Sequence, residues 1–225
     1  MVMGKSAHKT EEKNFLQKIE TKEDIPLEEI KTTFSDIWDT EKYSIAWTPE
    51  ELNNSSPKKA EGIFKDKGIS LVSVFHIEQA PQIFPVQVED KFTVEFIGDF
   101  PNLTGRIDRI DVNDEIAELK FVSKSPQTDD IKNDIQLTIY DLGFRSKYNR
   151  KPSRLKKQWA ISTKEPKTIT QVCEPRSEDK INRLLFRLER AITGIKKGVF
   201  QPAPINAWWC NQKWYGYYLT CDLRP

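Results

Sequence analysis

Three polar residues in one short stretch could do chemistry together. GRIDRIDVNDEIAELKF, residues 105–121, reads as strand, turn, strand, and carries Asp108, Glu118 and Lys120 where a half-buried face would hold apolar side chains. Side chains alternate along a strand, so Glu118 and Lys120 share one face while Ala117, Leu119 and Phe121 share the other. Asp108 belongs to the preceding strand. A two-residue turn at Asn113–Asp114 would set Asp108 opposite Leu119, on the wrong face. A three-residue loop, Asn113 to Glu115, sets it opposite Lys120 and diagonal to Glu118. Convergence of the two acids therefore requires an odd-length loop or a bulge. Two carboxylates at close range repel and resist burial. A divalent cation removes that penalty, and hard oxygen ligands suit Mg²⁺ or Mn²⁺. A lysine beside them can orient or deprotonate a water or neutralise charge building on a phosphate. These parts suit phosphodiester hydrolysis. The same set on a strand surface also reads as a solvated salt-bridge ladder.

The elements that must position these residues follow from periodicity. Residues 4–20 are expected to be helical, with Phe15, Leu16 and Ile19 as an apolar stripe. A second helix should follow Pro26, with Ile30, Phe34, Ile37 and Trp38 inward. Residues 48–67 read as a third helical region broken near Asn53–Pro57, and 69–79 could continue a helix or form a strand. From Val86 the period becomes that of a strand, and the hairpin follows. SPQTDD supplies turn and N-cap chemistry, and Asp129 to Tyr148 reads as helix with Ile131, Ile135, Ile139 and Leu142 on one side. KKQWAISTK and KTITQVCEP are strands joined by a turn at Lys164–Pro166. The clearest helix runs from a Ser177 cap to Gly198, with Ile181, Leu184, Leu188, Ile192 and Ile195 inward. This order predicts an α/β fold with a mixed sheet flanked by helices.

Composition narrows the function classes. The chain has 225 residues, 37% hydrophobic and 31% charged, with Lys+Arg 35 against Asp+Glu 34. Overall charge selects no partner, so any nucleic-acid footprint must be local. No apolar run approaches the roughly 18 residues needed to span a membrane, and the first residues lack a signal-peptide core. Three cysteines, Cys173, Cys210 and Cys221, build no even disulfide framework, which fits a reducing cytoplasmic setting. KYNRKPSRLKK, residues 147–157, holds six Lys/Arg and could track a phosphate backbone. Arg183, Arg187 and Arg190 recur along the last long helix and read as a solvated face. The tail is dense in aromatic residues, among them Trp208, Trp209, Trp214, Tyr217 and Tyr218, expected to hold it by packing.

GRIDRID, ELK ten residues after its first Asp, and Gln136-Leu-Thr-Ile-Tyr140 together resemble the RecB-type exonuclease branch of the PD-(D/E)XK nuclease superfamily, whose members include phage nucleases and CRISPR-adaptation nucleases. In that branch a G-x-x-D-R-x-D strand precedes an E/D-x-K strand and a Q-x-x-x-Y helix. The resemblance covers nearly the whole chain. It implies a restriction-endonuclease-like core, read here as one domain over 1–225: a helical part to residue 80, a catalytic core over 86–200 and the tail over 201–225. It assigns Asp108, Glu118, Lys120, Gln136 and Tyr140 to catalysis. Asp108, Glu118, the Leu119 carbonyl and His8, the last from Gly4-Lys-Ser-Ala-His8, would hold Mg²⁺ or Mn²⁺. His76 is expected to be a structural or surface residue. DNA is the implied substrate, contacted by Arg106, Arg109, Lys147, Arg150, Lys151 and Arg154, with a recombination or single-strand-binding protein as partner and the cytoplasm of a bacterium or phage-infected host as setting. The alternative is a DNA-binding or assembly subunit that keeps the nuclease fold with little catalysis. Many members carry an iron–sulfur cluster on four cysteines, one early and three late. Here Cys210 and Cys221 align with the late group, Tyr215 stands where another cysteine is expected, and no cysteine precedes Cys173. No cluster is therefore expected. The G-x-x-x-H segment stands at the very start, as in a shortened member.

Overall fold

A computed structural model describes residues 2–45, 47, 49–96, 100–126, 130–200, 202–204, 207, 209–211 and 215–222. Trp208, Trp214 and the Asp129 end of the expected helix lie outside the described residues. The chain opens with α1 (Val2–Thr21), α2 (Leu27–Glu41), a short α3 (Pro49–Leu52) and α4 (Pro57–Glu78). Residues 69–78, ambiguous in sequence, continue α4. Leu71, Val72 and Phe75 recur at helical spacing, and all three are buried. Among the described residues no helix is long and apolar enough to cross a membrane.

The sheet is ordered β1 (Pro85–Val94), β2 (Leu103–Asp111), β3 (Glu115–Val122), β4 (Arg154–Ile161) and β5 (Lys167–Cys173). Neighbours are antiparallel except β3 and β4, which are parallel and joined through α5 (Ile135–Tyr148). A parallel pair needs such a crossover because the end of the first strand and the start of the second lie at opposite ends of the strands. The chain then forms α6 (Glu178–Lys196), capped by Ser177, whose side chain accepts from the Lys180 amide.

Alternation along β3 splits its side chains between two cores. Leu119 and Phe121 pack with Phe15, Phe34, Leu71 and Phe75 in the layer of α1, α2 and α4. Ile116 packs with Ile107, Leu137, Tyr140 and Phe144 under α5. Phe92 of β1 seats that helix: a Cβ on Gly105 or on Gly143 would stand 2.5 Å from its ring. Both glycines are thus required by close approach, one from the strand and one from the helix.

Three expectations change. The helix expected from Asp129 begins at Ile135, after a 3₁₀ turn over Asp130–Asn133. Asp134 is its cap, accepting from the Leu137 amide at 2.9 Å, so the buried face becomes Leu137, Tyr140 and Phe144 while Ile135 is exposed. On α6 only Ile181 and Leu184 are fully buried, and Ile195 is 62% exposed. In the tail Trp209 and Tyr217 are largely exposed, and the Tyr217 ring meets Tyr215 edge-on. Among its described residues that region has turns and a 3₁₀ helix over Tyr218–Thr220.

Candidate active site

The β2–β3 hairpin closes with a three-residue loop, Val112–Asp114, in which Asn113 (φ 63°) and Asp114 (φ 58°) are both left-handed. Asn and Asp tolerate that conformation better than other side chains with a Cβ. The loop has the expected odd length but sits one residue earlier than expected. The register pairs Asp111 with Glu115, Ile110 with Ile116 and Arg109 with Ala117. Continuing it places Asp108 level with Glu118, not Lys120. The ladder ends after those three pairs, and the Leu119 amide donates to Asp108 Oδ2 at 3.3 Å.

Asp108 thus stands where the two helical layers meet. Its Oδ1 accepts from the Tyr140 hydroxyl at 2.8 Å, while Oδ2 lies 3.9 Å from His8 Nδ1 on α1. The His8 ring packs edge-on against Phe121, and the Leu119 carbonyl accepts from it. Burial holds the His8 pKa below its ordinary value despite Asp108, so the imidazole is neutral at pH 7. Glu118 is 1% exposed, ion-paired with Lys120 through Oε1, and accepts from Gln136 Nε2 at 2.8 Å through Oε2. Gln136 Nε2 also donates to the Tyr140 hydroxyl at 2.9 Å. Burial, reinforced by the Asp108 charge, pushes the Glu118 pKa up to about 7, with Lys120 opposing. Burial and both neighbouring carboxylates push the Tyr140 phenol up, which keeps it a proton donor.

The N-terminal turn of α5 is braced from below. Buried Arg176 donates to the Ile131 carbonyl at 2.7 Å and to Thr138 Oγ1 at 3.1 Å, and its amide donates to Asp141 Oδ2 at 2.6 Å. Lys157 pairs with the Asp134 cap. These contacts fix the turn from which Gln136 reaches Glu118.

The structure therefore gathers His8, Asp108, Glu118, the Leu119 carbonyl, Lys120, Gln136 and Tyr140 where β2 and β3 part, just beyond their last pair. The donors are two carboxylates, a peptide carbonyl and a neutral imidazole, a set that suits a hard divalent ion. They do not yet face one point. Among the described residues no three His, Cys, Asp or Glu side chains are arranged to hold an ion. Glu118 instead engages Lys120 and Gln136 with its two oxygens.

One acid was missed. Glu11, one turn beyond His8, is 1% exposed with both carboxylate oxygens unpartnered. It faces a cavity of about 20 Å³ that Asp108, Glu89 and Glu12 also line, room for about one water. Its i+3 spacing from His8 on one helix face was the available signal.

The expected phosphate contacts are already engaged. Arg109 is buried, bonding Asp111 at 2.6 Å and 3.1 Å and Gln158 at 2.6 Å, so it cannot reach a backbone. Arg106 lies 3.7 Å from Glu89, Lys147 2.6 Å from Asp90, Arg150 2.7 Å from Asp114, Lys151 2.8 Å from Glu178 and Arg154 3.0 Å from Glu174. Of the histidines, His76 is buried on α4. Cys210, Cys221 and Tyr215 line one cavity of about 300 Å³ in the tail, and Cys173 is not among its lining residues.

A mixed sheet with an acid–acid–lysine set at the end of its hairpin defines a nuclease-type core. The chain belongs to the PD-(D/E)XK nuclease superfamily, whose family model matches residues 2–217. A crystal structure called "Putative exonuclease", from Eubacterium rectale, is similar in fold with a TM-score of 0.53 and 14% identity, over 85% of this chain and 75% of that one. A second structure, called SSO0001, aligns over 84% of this chain and 93% of its own at a TM-score of 0.41 and 17% identity. No curated protein matches the chain.

Proposed function

We propose that the protein is a divalent-metal-dependent deoxyribonuclease of the RecB-type branch, acting as an exonuclease in recombination, repair or phage DNA processing. The observation that carries this reading is the meeting of Asp108 with Glu118 and Lys120 beneath Gln136 and Tyr140. Asp108, Glu118, the Leu119 carbonyl and neutral His8 would hold Mg²⁺ or Mn²⁺. Held there, such an ion would supply a counter-charge for the paired carboxylates and Lewis-acid chemistry at the scissile phosphate. The residues do the rest. Lys120, about one-third exposed, swings from Glu118 to donate to the charge that develops on the phosphate. Tyr140 and Gln136 orient Asp108 and Glu118 by hydrogen bonds, and release of Glu118 from Lys120 frees its Oε1.

Linear and circular DNA incubated with Mg²⁺ or Mn²⁺ test the reading, beside Glu118→Ala and Lys120→Ala. We expect loss of linear DNA only, and a fall of at least about 10²-fold in each variant, the scale of losing one transition-state donor. Equal cleavage by all three proteins rejects the assignment. The Lys120–Glu118 ion pair favours a second reading, a DNA-binding or assembly subunit in which the acid stays tied to the lysine. Binding without turnover under every metal tried would select it.

A further inference from the structure

Beside the site a second surface carries two exposed arginines, Arg183 and Arg187. A groove of about 230 Å³ runs between the N-terminal turn of α5 and the first half of α6. Its floor is Leu184 and Thr138, both buried, and its walls are Lys132, Lys180, Arg183 and Arg187. Among the described residues no acidic side chain lines it. Arg183 and Arg187 are one turn apart on α6, so their guanidinium groups rise from the same face. Both are exposed, and among the described residues neither has an acidic partner. That sets them apart from the 147–154 stretch, where Lys147, Arg150, Lys151 and Arg154 each hold a carboxylate. Lys180 is directed toward the groove by donating to the Lys132 carbonyl at 2.9 Å.

The groove leads to the site. Ile135 lines it and is exposed, and the next residue, Gln136, bonds Glu118 at 2.8 Å. Consecutive Cα atoms lie about 3.8 Å apart, so a ligand over Ile135 is within a side chain's reach of the acid pair. Exposed, unpaired arginines with fork geometry suit phosphate oxygens. Leu184 beneath them offers an apolar contact to the sugar edges between phosphates.

We infer that this groove binds the phosphate backbone of the DNA substrate next to the scissile position, with Arg183 and Arg187 as its principal contacts. The inference rests on the reading of the protein as one that acts on DNA. It places the DNA path across α5 and α6 rather than along residues 147–154.

Fluorescence anisotropy with a labelled DNA oligonucleotide in EDTA measures binding without turnover, and cleavage in Mn²⁺ is measured separately. Each phosphate contact contributes about 0.9 to the slope of log affinity against log salt. Arg183→Ala combined with Arg187→Ala should therefore lower that slope by about 2 and weaken binding roughly 10- to 60-fold at 0.1 M salt. The paired lysine variant, Arg183→Lys with Arg187→Lys, should recover most of the slope. Arg150→Ala with Lys151→Ala should change it little. If the wild type binds and the alanine pair keeps its slope and affinity, the groove assignment is wrong and the nuclease reading stands or falls by cleavage alone. The groove assignment is equally wrong if the 150/151 pair loses binding instead. If the wild type binds without cleaving and the alanine pair loses binding, the groove is supported and the nuclease reading fails. A wild type that neither binds nor cleaves overturns both.

Discussion

Glutamine at position 11 isolates the unusual acid behind the site. Glu11 is buried, its carboxylate oxygens have no hydrogen-bond partner, and burial with the Asp24 charge pushes its pKa from 4.5 up to about 8, opposed by Arg109. The folded chain therefore keeps the proton to about pH 8, while the unfolded chain releases it near 4.5. Stability from the neutral, buried carboxyl is fully present below pH 4.5 and is lost as pH rises through about 8. At about 1.4 kcal/mol per pH unit, that loss is roughly 3 kcal/mol by pH 7 and roughly 5 kcal/mol once both states are ionised. Glu11→Gln keeps the shape and has no proton to lose. The stability of the variant minus that of the wild type should therefore climb with pH. Urea unfolding in EDTA, followed by tryptophan fluorescence from pH 5 to 8.5, measures that difference; subtracting the wild type removes every other titration the two proteins share. A difference that stays flat to within about 0.5 kcal/mol would refute the reasoning. It would mean that Glu11 ionises in the native chain against the Arg109 guanidinium.

Gly143→Ala should destabilise by about 1–3 kcal/mol through overpacking against Phe92, although alanine favours a helix by about 1 kcal/mol over glycine; thermal or urea unfolding gives the sign. Mn²⁺ affinity should rise about tenfold per pH unit up to about pH 7 and then level, because the Glu118 proton must leave before the ion binds. Calorimetry from pH 5.5 to 8.5 checks this, and a pH-independent affinity would remove Glu118 from the ligand set. Asn113→Val should cost about 1–2 kcal/mol, because a β-branched side chain is disfavoured in the left-handed region that Asn tolerates, whereas Asn113→Gly should be tolerated; the comparison is made by urea unfolding.

What the sequence determined was local. Period-two alternation marked β1 to β5, and helical spacing marked α1, α2 and α6, because each pattern repeats within one element. The chemistry was also legible, since GRIDRID, ELK and Gln136–Tyr140 sit at short, fixed separations. Even the odd parity of the hairpin loop followed from requiring the acids to share a face. The tertiary structure decided whatever depended on distant chain. The loop's place rested on two left-handed residues, Asn113 and Asp114, which move the register without disturbing the alternation. Arg109 looked available to DNA, yet Asp111 and Gln158, the latter on β4, bury it. Lys147, Arg150, Lys151 and Arg154 formed the densest basic run, but acids from β1, the hairpin loop, α6 and the end of β5 neutralise them. Arg183 and Arg187 looked like an ordinary helix face until α5 was set beside them. Periodicity records which residues share a side; only packing records what lies opposite, and the charge left over after pairing is a property of that opposite surface.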